Sequence, residues 1–200
     1  GLVGSTAGAS SISGSSSTAD IIGGLGSAYI GGIAGYVGSG TVTVPNFIEK
    51  SSFKGTITAE SICGGIVGDV GNYVTVRRNS TDSNIDCSQK AGGVMGVVGS
   101  NNVIVEQNSS RGTVSGLLYA GGFVSQVLKD ATNFVDFHDN YSRATVKSND
   151  IAGGFVGSGG AVFARCFSSG KVQMIDTESR FGGFAGQIYN TGTLTGSFWD

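Results

Sequence analysis

A Gly-Gly pair followed by an apolar residue, one further position and usually another Gly recurs along this chain at nearly even spacing. The copies are Gly31-Gly32-Ile33-Ala34-Gly35, Gly64-Gly65-Ile66-Val67-Gly68 and Gly92-Gly93-Val94-Met95-Gly96. Gly121-Gly122-Phe123-Val124-Ser125, Gly153-Gly154-Phe155-Val156-Gly157 and Gly182-Gly183-Phe184-Ala185-Gly186 follow. The opening Gly1-Leu2-Val3-Gly4 reads as the cut end of a seventh copy. The second glycines stand at 1, 32, 65, 93, 122, 154 and 183, at intervals of 31, 33, 28, 29, 32 and 29 residues. A fixed period of about 30 residues marks a repeat protein, in which each unit packs mainly on its neighbours.

Each repeat reads as three short extended pieces. The first is the glycine block with its apolar pair. The second alternates apolar residues: Val42 and Val44, Val74 and Val76, Val103 and Val105. The third follows a polar turn, as in Gly55-Thr56-Ile57, Gly112-Thr113-Val114, Ala144-Thr145-Val146 and Gly170-Lys171-Val172. Period-two alternation, β-branched residues and Gly/Asn/Ser punctuation are strand signals. No helical period is sustained, and each Gly would cost a helix interior roughly 1 kcal/mol. The pattern predicts an all-β parallel β-solenoid (β-helix) of about 6–7 coils. Its coils start near residues 31, 64, 92, 121, 153 and 182 and stack at about 4.8 Å. Ile33, Ile66, Val94, Phe123, Phe155 and Phe184 would then form one core ladder. The β-solenoid repeats span 31–200. Residues 1–30, rich in Ser, Gly, Ala and Thr, are a low-complexity lead or a degenerate first coil.

Composition removes several classes. Gly supplies 36 of 200 residues but Pro only one, which excludes collagen. A net charge of −2, with Arg77-Arg78 as the one basic pair, argues against a nucleic-acid stripe. No apolar run is long enough to span a membrane. No signal peptide is visible at residues 1–19, and the chain reads as a piece of something longer. Of Cys63, Cys87 and Cys166, Cys63 stands where other repeats have Ala91, Ala120 and Ala152. That favours a small buried thiol, with one disulfide left open. No Cys/His cluster suggests a zinc site.

A second signature alternates with the first. Arg165-Cys166-Phe167-Ser168-Ser169-Gly170-Lys171-Val172 precedes a Gly-Gly-Phe block, and looser copies include Asp139-Asn140-Tyr141-Ser142, Gln107-Asn108-Ser109-Ser110 and Arg78-Asn79-Ser80-Thr81. The chain ends in Gly196-Ser197-Phe198-Trp199-Asp200. Together these resemble the GLUG repeat family over nearly the whole chain, most weakly in residues 1–30. The resemblance implies a β-helical stalk or display surface of an adhesin-like surface or secreted protein. It carries over no catalytic residue. Ser125 in place of the closing Gly departs from the pattern.

Asn79-Ser80-Thr81, Asn108-Ser109-Ser110 and Asn140-Tyr141-Ser142 are N-glycosylation acceptor patterns at one equivalent repeat position, held by Cys166 and Ser197 in the next two. The alternative is an Asn ladder bonded from coil to coil. Glycans about 4.8 Å apart would crowd one another, which favours the ladder. Asp130, Asp136, Asp139 and Asp150 are the acidic group a carbohydrate-cleaving β-helix would need, with His138 the single His; a solvated turn is the plainer reading. No nucleophile elbow, phosphate loop or calcium nonapeptide is present. Thr41/Thr43, Thr56/Thr58 and Thr193/Thr195 do not share a repeat position, so no ice-binding array follows. Tyr29, Tyr36, Tyr73, Tyr119 and Tyr189 are too scattered for a sugar platform. Trp199 reads as closing one end of the stack.

The expectation is a non-enzymatic structural or adhesive segment of an extracellular or cell-surface protein, without cofactor or metal. Its partners would be flanking repeats, copies of itself in a filament, or a host or matrix surface. The alternatives are a carbohydrate-active β-helix, either enzyme or glycan-binding module, and an intracellular scaffold filament. A carboxylate pair converging beside a groove would single out the enzyme.

Overall fold

The computed structural model describes residues 1–6, 8–24, 26–38, 40–99, 101–128, 134–175, 180–189 and 192–200. The chain winds as an all-β parallel solenoid of about six turns, with roughly 29 residues per turn. Among the described residues four sheets run along the axis, with seven, seven, eleven and six strands. We name them A to D in the order each coil visits them. Sheet A collects the strands after each Gly-Gly, such as Val67–Val70 and Met95–Val98. Sheet B holds strands such as Val74–Arg77 and Val103–Glu106. Sheet C takes two pieces per coil, fused into the eight-residue strands Ser80–Cys87 and Ser109–Gly116. Sheet D holds strands such as Ile62–Gly64 and Lys90–Gly92.

Equivalent residues of successive coils lie opposite one another, as Val74 opposite Val103 and Val103 opposite Val135. The alternation of Val103–Glu106 becomes an alternation of burial, with both valines inside. Residues 1–30 also contribute strands: Val3–Thr6, Ser11–Ser13, Ser16–Ser17 and Ile21–Gly23 pair with the coil that follows, and Tyr29–Gly31 opens sheet D.

Two details differ from the sequence reading. Each coil lays down pieces in four sheets rather than three, because the residues before Gly-Gly form a strand of their own. Val42 and Val44 are not a strand. They lie 78% and 49% exposed in a turn where Thr41 and Val44 bond each other's backbone. The sheet B strand of that coil is Asn46–Glu49, with Asn46 opposite Val74 and Ile48 opposite Val76. Pro45 offers no N–H and stands just before it. The long 33-residue interval absorbs the extra turn and shifts the alternation.

The interior is a set of ladders. Ile33, Ile66, Val94, Phe123 and Phe155 are fully buried, and Phe184 is partly buried at the last coil. Phe155 stacks on Phe123 at 4.5 Å and on Phe184 at 5.0 Å, with rings nearly parallel. Sheet B supplies a second stack, Phe137 on Phe163 at 5.1 Å, which meets the first edge-on. Such pairs add about 0.5–1.5 kcal/mol each beyond their burial.

The glycine block is where sheet D turns into sheet A with no room for side chains. A Cβ on Gly64 would overlap the Val67 carbonyl of its own coil; one on Gly65 would overlap the Gly93 carbonyl of the next coil and press on Thr81. The space over the second Gly is taken by the facing sheet C residue: Phe53, Thr81, Ser110, Ser142, Ser168 or Trp199. Ser125 fits in place of a closing Gly because it is fully buried and its hydroxyl donates to the Tyr119 carbonyl at 3.2 Å.

Candidate functional site

The most organised polar feature is the corner between sheets B and C. The backbone N–H of Ser51 donates to Asn79 Oδ1, that of Asn79 to Asn108 Oδ1, and that of Asn108 to Asn140 Oδ1, each at 2.9 Å. The row continues outward with Ser15 N–H to Ser51 Oγ at 3.2 Å and Cys166 N–H to Ser197 Oγ at 3.0 Å. The amide nitrogens are also engaged. Asn79 Nδ2 donates to the Ile48 carbonyl and to Asn108 Oδ1. Asn108 Nδ2 donates to the carbonyls of Val76 and Glu106 and to Asn140 Oδ1. Asn140 Nδ2 donates to the carbonyls of Val105 and His138. All three side chains are at most 2% exposed. The atom a glycan would need is therefore spent on the fold, and attaching sugar would require opening the corner.

The backbone explains why an amide is used here. The residue before each ladder position turns left-handed: Gly14, Lys50, Arg78, Gln107, Asp139, Arg165 and Gly196 have φ between 51 and 60°. Five of these seven are not glycine, which costs about 1 kcal/mol each. The turn aims carbonyls inward, and the Asn side chain satisfies them. The sequence names Asn79, Asn108 and Asn140 but not the turn residues or Ser15 and Ser51. The signal that finds them is position: each stands where the repeat places an Asn, or just before it.

The turn residues and the outer face of sheet B carry charges. Arg77 Nε lies 2.7 Å from Glu49, and Glu106 lies 3.4 Å from His138 Nε2. Arg165 forks onto both oxygens of Asp139 at 2.6 and 2.8 Å, and His138 Nδ1 lies 3.1 Å from the same carboxylate. The Arg165 hydrogen bond, helped by His138, holds the Asp139 carboxyl far below the usual range. It is thus a poor proton donor. Asp136 lies on the same face with one buried oxygen lacking a partner. Asp150 pairs instead with Arg180 at 3.8 Å, and Asp130 lies outside the described residues. Asp139 and Asp150, each paired with a different arginine, thus do not form one acid/base pair. Among the described residues no group of three or more His, Cys, Asp or Glu could hold a metal ion.

The thiol expectation for Cys63 is corrected. Cys63 of sheet D and Cys87 of sheet C form a disulfide across 24 residues, joining neighbouring coils. Both face the interior where two ladders run side by side, Cys63 beside Ala91 and Cys87 beside Ala59. Cys166 stays free within the corner ladder, and burial pushes its thiol up to about 11. It is therefore an unreactive group that donates to the Phe137 carbonyl.

Between sheets D and A, burial raises the Asp69 carboxyl to about 6 against the pull of Lys90, and burial lowers the Lys90 amine. The three Thr pairs fall apart, Thr41/Thr43 in a turn, Thr56/Thr58 on sheet C and Thr193/Thr195 on sheet B. At the last coil Phe181, Leu194, Phe198 and Trp199 are 49–59% exposed, with Trp199 lying against Gly183. No family model, no curated protein and no solved structure matches this chain.

Proposed function

We propose that this chain is a structural segment of a surface or secreted protein, a stiff rod whose end coils stack on further coils. The observation that carries this reading is the run of unbroken ladders from coil to coil. Backbone, Phe and corner ladders all run along one axis, so each coil presents strand edges to the next. Such edges bind another strand readily. A flanking repeat or a second copy supplies it.

The Cys63–Cys87 disulfide supports an oxidising compartment over an intracellular filament. The engaged Asp139 carboxylate gives no support to a carbohydrate-cleaving reading. Electron microscopy of the purified chain over a range of concentrations tests the proposal. Rods that lengthen with concentration, and stop lengthening in Trp199→Lys, support end-to-end stacking. Single short rods at every concentration remove self-assembly and leave flanking repeats as the partner.

A further inference from the structure

We infer that the outer face of sheet C, from the fourth coil to the last, binds an acidic polysaccharide laid along the solenoid axis. This goes beyond the structural role and does not depend on end-to-end stacking. Three observations meet on that face.

The first is an aromatic row. In the outward position that Ser16, Ser52, Ser80 and Ser109 hold in the early coils, the later coils carry Tyr141, Phe167 and Phe198. Phe167 and Phe198 have ring centroids 4.8 Å apart, and Phe198 is 59% exposed. Buried aromatics explain themselves as core, whereas these three face outward. Sugar rings present flat C–H faces that pack on such a row.

The second is charge. Two outward positions along the strand lie Arg111 and Arg143, and beyond the bend lie Lys147 and Lys171. The Arg143 guanidinium sits over the Tyr141 ring, 5.6 Å from its centroid, so cation and platform adjoin. Among the described residues none of these four cations makes an ion pair, whereas Arg77, Arg165 and Arg180 all do. The chain as a whole carries −2, so this local excess is not a general property of its surface. Asp82 and Asp86 of the third coil bound the strip at one end, and Asp200, two residues beyond Phe198, at the other.

The third is shape. The face holds two shallow hollows. They reach from the second coil to the fifth: one is lined by Lys54, Ser80, Asp82, Ser109, Arg111 and Tyr141, the other by Asn84, Asp86, Thr113, Ser115 and Lys147. Small residues at the bend, Gly112 with φ 98° and Gly170, let the sheet fold in there. Hydroxyls and amides line the hollows and suit a hydroxylated chain better than an apolar partner. Equivalent groups recur at about 4.8 Å, close to the rise of one sugar unit in an extended polymer.

The test is binding of the intact chain to immobilised polygalacturonate and to heparin, which separate carboxylate from sulfate recognition. Neutral dextran and duplex DNA serve as comparisons. Ser already occupies the aromatic row in the early coils, so Ser substitutions there are tolerated by the backbone. We expect binding to one acidic polymer that weakens with salt, and none to dextran. Arg111→Ser/Arg143→Ser/Lys147→Ser lowers affinity about tenfold or more. Tyr141→Ser/Phe167→Ser lowers it by a similar factor with an unchanged far-UV spectrum. Arg78→Ser, on the B–C corner, changes it by less than about twofold. The inference is overturned if neither polymer binds at low salt or if either multiple variant binds as the wild type does. Tighter binding of DNA than of both polysaccharides overturns it as well.

Discussion

The first and fifth coils follow the same backbone path and differ in what fills it. Both pair in register with the coil that follows, Val3 opposite Ala34 and Val124 opposite Val156. Both join the corner row, through Ser15 and Asn140. Yet no described residue from 1 to 24 is buried, whereas Phe123, Val124, Val135, Phe137 and Val146 are fully so. Parallel ladder bonds replace bonds to water and contribute little net. What distinguishes a rigid coil from a thin one is the volume its inward side chains supply. The repeat thus specifies a path, and the ladder residues specify how firmly it is held.

The sharpest way to break this comparison is to empty the thick coil. Phe155→Ala removes the middle ring of a stack of three and should cost about 3–5 kcal/mol in denaturant unfolding. Ile12→Ala in the first coil should cost under about 1 kcal/mol, because little area is lost there. Equal losses would mean that the backbone, not the ladders, sets stability.

The corner gives the next largest effect. Asn108→Leu keeps the volume but strands the Asn79 backbone N–H and the Val76 carbonyl, and should cost about 2–4 kcal/mol. Ser15→Ala, at the solvated end of the same row, should cost under about 1 kcal/mol. Urea midpoints of the two variants check this. Intact-mass analysis of chain secreted from a glycosylating host should show no sugar on Asn79, Asn108 or Asn140.

The disulfide ties the second coil to the third, so Cys63→Ser should lower stability by about 3 kcal/mol, and reduction of the wild type by the same amount. The loss should fall on coils near residues 30–90 and leave the Phe stacks intact, as hydrogen exchange would report.

The smallest effect is electrostatic. Burial raises the Asp69 carboxyl from 3.8 to about 6, so the folded chain holds that proton more tightly than the unfolded one. Stability from this site is full below about pH 3.8 and falls as pH rises through about 6. Asp69→Asn should remove that fall and gain roughly 1–2 kcal/mol at pH 8 after allowance for partial exposure. A melting profile unchanged by the substitution between pH 4 and pH 8 would contradict it.

Much of the fold was legible because the glycine block repeats its chemistry in every coil, and only a residue without a side chain fits there. The core ladder was legible for the same reason. Other features lacked such a signal. The strand Asn46–Glu49 was hidden because Val42 and Val44 imitate alternation in an inserted turn. The Cys63–Cys87 disulfide was obscured because Cys63 sits in a ladder that continues as Ala91, Ala120 and Ala152, and spacing says nothing of the neighbouring sheet. The aromatic row escaped because it mixes one Tyr with two Phe, and only register brings them together.

Hydrogen exchange resolved along the intact chain tests the central claim most directly. The account predicts strongest protection for the amides of Asn79, Asn108 and their sheet neighbours in the middle coils, and rapid exchange over residues 3–6 and 8–23. Uniform protection from the first coil to the fifth, or fast exchange at the corner amides, would contradict it.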